Sequence, residues 1–192
     1  DEAELSKDGK TNKEVFARIP NLEILDCFDS NIKARFSNVL NKDNLALNIA
    51  NALLEGNVDF VQNKLSPLLR SFVSVRDTAT RAPHENYYHG FLNGIFTNCK
   101  DNLGEYHSNF ESGDGYPDIL FKDIDCRKVA IIELKSAPTG SDLVTLSETA
   151  LSQIEEKNYS EPFMSNRMIQ SIYAYGIAFA GKNCAVSVKK LK

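Results

Sequence analysis

The order of periodicities along the chain predicts an α/β fold: a central mixed β-sheet flanked by helices, with a helical extension at the N-terminus. Three observations carry this reading. Apolar residues recur at three- and four-residue steps through most of residues 20–72, as amphipathic helices require. Val129-Ala130-Ile131-Ile132 is a β-branched, apolar run of the kind that forms a buried strand. Behind a leading helix, the later segments follow the order strand, strand, strand, helix, strand, strand.

Taken in order, Glu14 to Ile19 reads as a short strand, and Pro20-Asn21 opens a helix to about Leu40 on Leu22, Leu25, Phe28, Ile32, Phe36 and Leu40. Asn44 is the expected N-cap of a helix over Leu45 to Leu54, which Glu55-Gly56-Asn57 closes. A third helix is expected over Asp59 to Phe72, with Pro67 kinking it or ending its first half. Val73 to Ala82 is a loop. Pro83 stands where a helix from His84 to about Cys99 begins, with Tyr88, Phe91, Leu92, Ile95 and Phe96 on its buried face. Gly104 to Phe110 reads as a strand and Glu111-Ser112-Gly113-Asp114-Gly115 as a tight connection. Ser141-Asp142 caps a helix from Leu143 to about Lys157, with Leu146, Ala150, Leu151 and Ile154 toward the core. Ile172 to Phe179 and Cys184 to Val188 are expected to pair as a hairpin. The division that follows is a helical extension over 1–82 packed on an α/β core over 83–192.

Composition bounds the function. The chain has 192 residues, 42% of them hydrophobic, enough for a real core in one domain with a helical extension. No apolar run has membrane length and no basic, apolar leader opens the chain, so a soluble protein without a membrane partner is expected. The polar start, Asp1 to Lys13, without a Met, is what a segment of a longer protein would show. Cys27, Cys99, Cys126 and Cys184 form no Cys-x-x-Cys pair, which argues against a zinc ribbon or a disulfide framework and for a reduced, cytoplasmic setting. The net charge of -4 supplies no overall basic footprint, so contact with a polyanion has to come from a local patch and from metal ions.

The chemistry concentrates at Tyr116-Pro117-Asp118-Ile119-Leu120 and Glu133-Leu134-Lys135, with fourteen residues between Asp118 and Glu133. Strand side chains alternate, so Glu133 and Lys135 share one face while Leu134 packs on the other. Charges at the end of a core strand are costly to desolvate unless they are paired or hold a metal. A turn around Lys122 to Lys128 would fold the two segments into a hairpin and bring Asp118 beside Glu133. Two carboxylates and an amine suit a hard divalent cation with oxygen ligands, plus a lysine that positions or activates water. Asp114 competes for the role of Asp118, but it lies between two glycines, where a turn-forming Asp is expected.

At Pro117, Asp118, Glu133 and Lys135 the chain resembles the PD-(D/E)XK nuclease superfamily. The resemblance extends to Glu85 with Tyr88-His89-Gly90-Phe91, to Glu111 through Asp118, to Gln153-Ile154-Glu155-Glu156-Lys157-Asn158-Tyr159 and to Tyr175 through Phe179 with Gly181-Lys182. These stretches look like the bacterial family commonly found C-terminal to an AAA-ATPase-like domain, which is also related to nuclease domains of host-manipulating toxins of intracellular bacteria. The resemblance implies a restriction-endonuclease-like core, a nucleic-acid substrate with DNA ahead of RNA, and Mg²⁺ or Mn²⁺ as cofactor; an exported effector would act inside a host cell. It implies metal ligation by Asp118 and Glu133, with Glu85 and His89 from the first core helix joining the same site. Lys135 would orient or deprotonate the attacking water, and Gln153 would hold the nucleophile or a phosphate. Gln153 with Tyr159 resembles an element of recombination nucleases, although Lys157 occupies the place where the usual spacing puts the Tyr. Arg76, Arg81, Lys157 and Lys182 are candidate contacts to the nucleic-acid backbone. Two rivals are weighed against the enzyme: a catalytically inactive nuclease-fold module that binds nucleic acid or protein, and an interaction domain in which Glu133 and Lys135 form a surface ion pair.

Overall fold

The structure, a computed structural model, describes residues 34–73, 84–109 and 111–192, and those from Phe36 onward form one compact unit. The strand expected at 14–19, most of the first helix, Cys27, the loop with Arg76 and Arg81, the boundary at residue 82 and Phe110 lie outside the described residues.

Residues 34–41 are helical, and a 3₁₀ turn at Lys42–Asn44 leads into α1 (Leu45–Glu55). Asn44 holds the N-cap position but with a left-handed backbone, φ 53°, and its side chain caps nothing. Asn tolerates that conformation, so it serves here as a turn residue. Gly56 ends α1 at φ 77°, as the sequence predicts. α2 (Val58–Phe72) is capped by Asn57, whose side chain accepts from the Phe60 N–H at 3.1 Å. Pro67 does not end its first half: the helix runs through it. Proline removes one intrahelical hydrogen bond, and burial of Leu65, Leu68 and Leu69 around it outweighs that loss. α3 (His84–Thr97) buries Tyr88, Leu92, Ile95 and Phe96, while Phe91 is half-buried.

The sheet runs in sequence order, β1 (Leu103–Ser108), β2 (Ile119–Asp123), β3 (Lys128–Ser136), β4 (Ser171–Ala180) and β5 (Asn183–Lys190). It is mixed: β3 and β4 are parallel, and every other neighbouring pair is antiparallel. The β3–β4 crossover carries α4 (Leu143–Glu156) and a short α5 (Glu161–Met164). Alternation along the strands divides the core in two. Ile132, Leu134, Tyr175, Ile177 and Phe179 pack with α1, α2 and α3, whereas Leu120, Val129, Ile131, Ile172 and Ala174 pack with Ile154 and Tyr159 at the other face. Asp118, Glu133 and Lys135 fall on the parity of the second set, so the charged residues look toward α4.

α4 starts where Asp142 accepts from the Val144 and Thr145 N–H groups, as its cap position predicts. Its buried face is Ser147, Ala150 and Ile154, with Leu146 and Leu151 only half-buried. A serine takes the place closest to the sheet because the helix lies directly against Gly176 of β4, where a Cβ would collide with the Ser147 carbonyl oxygen and the Leu151 N–H. The small residue is a condition of the packing. Gly176 is also the register partner of Glu133, so the same close approach sets how far α4 stands from the charged strand end.

Gly176→Ala is expected to push α4 off the sheet and destabilise the fold by about 2 kcal/mol, the usual scale of overpacking, read as a fall in melting temperature of roughly 4–8 °C in thermal denaturation.

Candidate active site

The β2–β3 hairpin places the acids. Ile119 pairs with Ile132 across the antiparallel ladder, so Asp118, one residue before β2, meets the strand at Glu133 and Leu134. The contact is direct: the Leu134 N–H donates to Asp118 Oδ2 at 2.8 Å. Burial pushes the Asp118 carboxyl above its ordinary range, and that hydrogen bond partly offsets it.

Glu133 is 4% exposed, the one charged residue that is buried among those described. Its Oε1 accepts from Lys135 Nζ at 3.3 Å and from the Gln153 side-chain amide of α4. Its Oε2 is buried with no hydrogen-bond partner among the described residues. Desolvation, then the neighbouring negative Asp118, raise its pKa from 4.5 to about 7, against the pull of Lys135. The result is a desolvated acid pair, one oxygen of which lacks any donor, with an ammonium and an amide fixing the other side. Such an arrangement accepts a proton or a cation where the orphaned oxygen faces.

A profile of the PD-(D/E)XK nuclease superfamily matches residues 83–189. The chain belongs to this superfamily. Among curated proteins nothing gives a significant match. The matched segment runs from α3 to the last residues of β5, and membership places the chain, at the family level, with nuclease-type phosphodiester hydrolases.

At this acid pair, Gln153 reaches Glu133, and Tyr159 reaches Gln153 through its phenol. The shifted spacing of that tyrosine has a local cause. α4 ends in a Schellman arrangement: the Asn158 N–H donates to the Glu155 carbonyl at 3.0 Å and the Tyr159 N–H to the Ile154 carbonyl at 3.1 Å, with Asn158 left-handed at φ 52°. The chain reverses there and buries Tyr159 against the sheet. Asp114 stays outside the site. It is exposed, its N–H donates to the Lys157 carbonyl, and its carboxylate accepts from the Asn158 side chain, so it ties the 111–115 turn to the end of α4.

His89 and Glu85 both come from α3. His89 Nε2 lies 3.0 Å from the Asp118 backbone carbonyl rather than holding its carboxylate. Glu85 is half-buried and acts on Glu133 only as a like charge raising its pKa. Among the described residues no group of three or more His, Cys, Asp or Glu side chains converges to metal-binding distance. Lys182 lies in the β4–β5 turn, at the same end of the parallel β3–β4 pair as Lys135, and its Nζ points to the Arg70 carbonyl at 3.4 Å. Lys157 is exposed at the end of α4, and Arg76 and Arg81 are outside the described residues. Composition and spacing carried no signal for the Leu134 N–H, since any residue there supplies it. Nor did they single out Asn93, Tyr106 and Ser108 around His89; the i, i+4 step from His89 to Asn93 is the trace they leave.

The acid pair sets a pH dependence in metal-free protein. Between pH 4.5 and about 7 the folded chain keeps a proton on Glu133 that the unfolded chain releases, so stability is fullest below 4.5 and falls as pH rises through the folded-state pKa. The raised Asp118 acts in the same sense. In EDTA, urea unfolding at pH 5 and pH 8 should show Glu133→Gln gaining on the wild type by on the order of 3 kcal/mol toward the alkaline side; an identical pH slope for both proteins would contradict this account.

Proposed function

We propose that the chain is a nuclease that hydrolyses phosphodiester bonds in DNA with the help of Mg²⁺ or Mn²⁺. The observation that carries this reading is Glu133 Oε2, buried beside Asp118 without a donor while Oε1 is held by Lys135 and Gln153. An orphaned carboxylate oxygen next to a second acid is what a hard cation would satisfy, so the residues fit the metal. Asp118 and Glu133 would hold it, with Glu85 as a further carboxylate nearby. When bound, the ion would polarise the phosphate and lower the pKa of the attacking water.

The protein's own groups have separable tasks. Gln153 and Lys135 fix the Glu133 carboxylate through Oε1. The Leu134 N–H does the same for Asp118. Lys135, with a side chain 25% exposed, orients the water oxygen for attack on phosphorus and offsets negative charge in the transition state. The new P–O bond forms from water, which gives up a proton to solvent, the bond to the leaving oxygen breaks, and that oxygen takes a proton from solvent. Lys157 and Lys182 are proposed as backbone contacts, together with Arg76 and Arg81. DNA is placed ahead of RNA because Gln153 with Tyr159 is the element that resembles recombination nucleases. The wider resemblance to the bacterial family commonly found C-terminal to an AAA-ATPase-like domain supports such a domain preceding this one in the full-length protein. Free thiols at Cys99, Cys126 and Cys184 support a reducing compartment.

The test is cleavage of supercoiled plasmid, linear single- and double-stranded DNA, and RNA, in Mg²⁺, Mn²⁺ or EDTA. Wild-type protein should cut with metal alone, and Asp118→Ala and Lys135→Ala should each lose at least about 100-fold, the scale of removing one group that stabilises transition-state charge. If no substrate is cut and calorimetry finds no Mn²⁺ binding that depends on Asp118, the enzyme reading fails and a binding module takes its place.

A further inference from the structure

We infer that His89 is a positioning residue that clamps the Asp118 peptide through its backbone carbonyl, at the end of a polar relay Tyr106–Asn93–Ser108–His89, and that its imidazole is not a metal ligand. The inference rests on the proposed role of Asp118. The Asp118 carbonyl oxygen lies 3.0 Å from His89 Nε2 and also accepts from the Asn109 N–H at 3.0 Å. A carbonyl can only accept, so Nε2 carries the proton and has no lone pair for a cation, while the other ring nitrogen, Nδ1, faces the Asn93 side-chain amide nitrogen of the same helix at 3.5 Å. The same nitrogen lies 3.0 Å from Ser108 Oγ, which accepts from the Asn93 side-chain amide at 3.0 Å. The Asn93 side-chain carbonyl accepts in turn from the Tyr106 hydroxyl, and burial keeps that phenol protonated and therefore a donor. Each link fixes the orientation of the next.

The relay has a reason to exist. Asp118 faces Glu133, a like charge in a desolvated setting, and it sits at the end of a connection rather than inside a strand. Repulsion would turn its peptide outward. The Leu134 N–H holds the carboxylate and His89 with Asn109 holds the carbonyl, so the residue is gripped at both ends. α3 supplies His89 and Asn93 one turn apart, and β1 supplies Tyr106 and Ser108 two residues apart on one face. The first core helix and the edge strand thus act on the site through the main chain.

His89→Gln and His89→Ala separate this role from ligation. Glutamine can place an amide N–H near Nε2 yet offers no imidazole to a metal. Calorimetry should give His89→Gln an Mn²⁺ affinity equal to wild type. In isotope-labelled wild-type protein the His89 Nε2 should show a proton-bearing nitrogen signal that persists when Mg²⁺ is added. In the cleavage assay His89→Gln should keep most of kcat, and His89→Ala should lose about tenfold or more in kcat at unchanged KM, as expected when a buried acceptor loses its donor. Loss of Mn²⁺ binding in His89→Gln, or loss of the Nε2 proton on adding Mg²⁺, would make the imidazole a ligand and overturn the inference. The calorimetric and nitrogen readouts need no turnover, so a wild-type protein that cuts nothing would sink the nuclease reading while leaving this one to be decided by them.

Discussion

Two neighbouring desolvated carboxylates are the constraint on which the rest of this site depends. Burial raises the proton affinity of both Asp118 and Glu133, and the neighbouring Asp118 charge raises that of Glu133 further. Left to themselves they would separate or protonate. Four groups prevent separation: the Leu134 N–H on Asp118, Lys135 and Gln153 on one oxygen of Glu133, and His89 on the Asp118 main chain. The oxygen that remains without a partner is therefore a product of the scaffold.

That scaffold works because each element contributes one contact at a defined distance. The antiparallel hairpin puts Asp118 opposite the end of β3. The parallel β3–β4 pair puts Gly176 beside Glu133, and the glycine lets α4 come close enough for Gln153 to reach across. α1 and α2 carry no part of the acid site; they cover the other face, and the Tyr175 hydroxyl ties β4 to the Leu53 carbonyl of α1 at 2.7 Å. Tyr88 of α3 does the same at the site's end of the sheet, donating to the Gly181 carbonyl at 2.8 Å and stacking on Phe179.

Most of the element pattern was legible because it depends on local periodicity and punctuation. The β-branched run before Glu133, the cap at Asp142 and the glycine after α1 each act over a few residues. The misreadings arose where a neighbour overrode a local rule. Pro67 breaks helices in isolation, but the leucines around it are buried and hold α2 together. Asn44 is a good N-cap residue, but the preceding 3₁₀ turn takes it into the left-handed region. Leu146 and Leu151 lie on the apolar stripe of α4, but they are only half-buried, and Ser147 takes the place against Gly176.

By itself the sequence determined the family and the members of the acid site. Alternation along one apolar strand puts Glu133 and Lys135 on one face, and a short connection returns Asp118 to them. Tertiary structure decided how those members are held. Which oxygen of Glu133 stays bare, whether Tyr159 reaches Gln153, and whether His89 meets the carbonyl or the carboxylate of Asp118 depend on the separation of α4 and α3 from the sheet. Those separations come from side chains and main-chain groups remote in the chain, Gly176 beneath Ser147 and Tyr88 against Phe179, and a difference of an ångström there exchanges one hydrogen-bond partner for another.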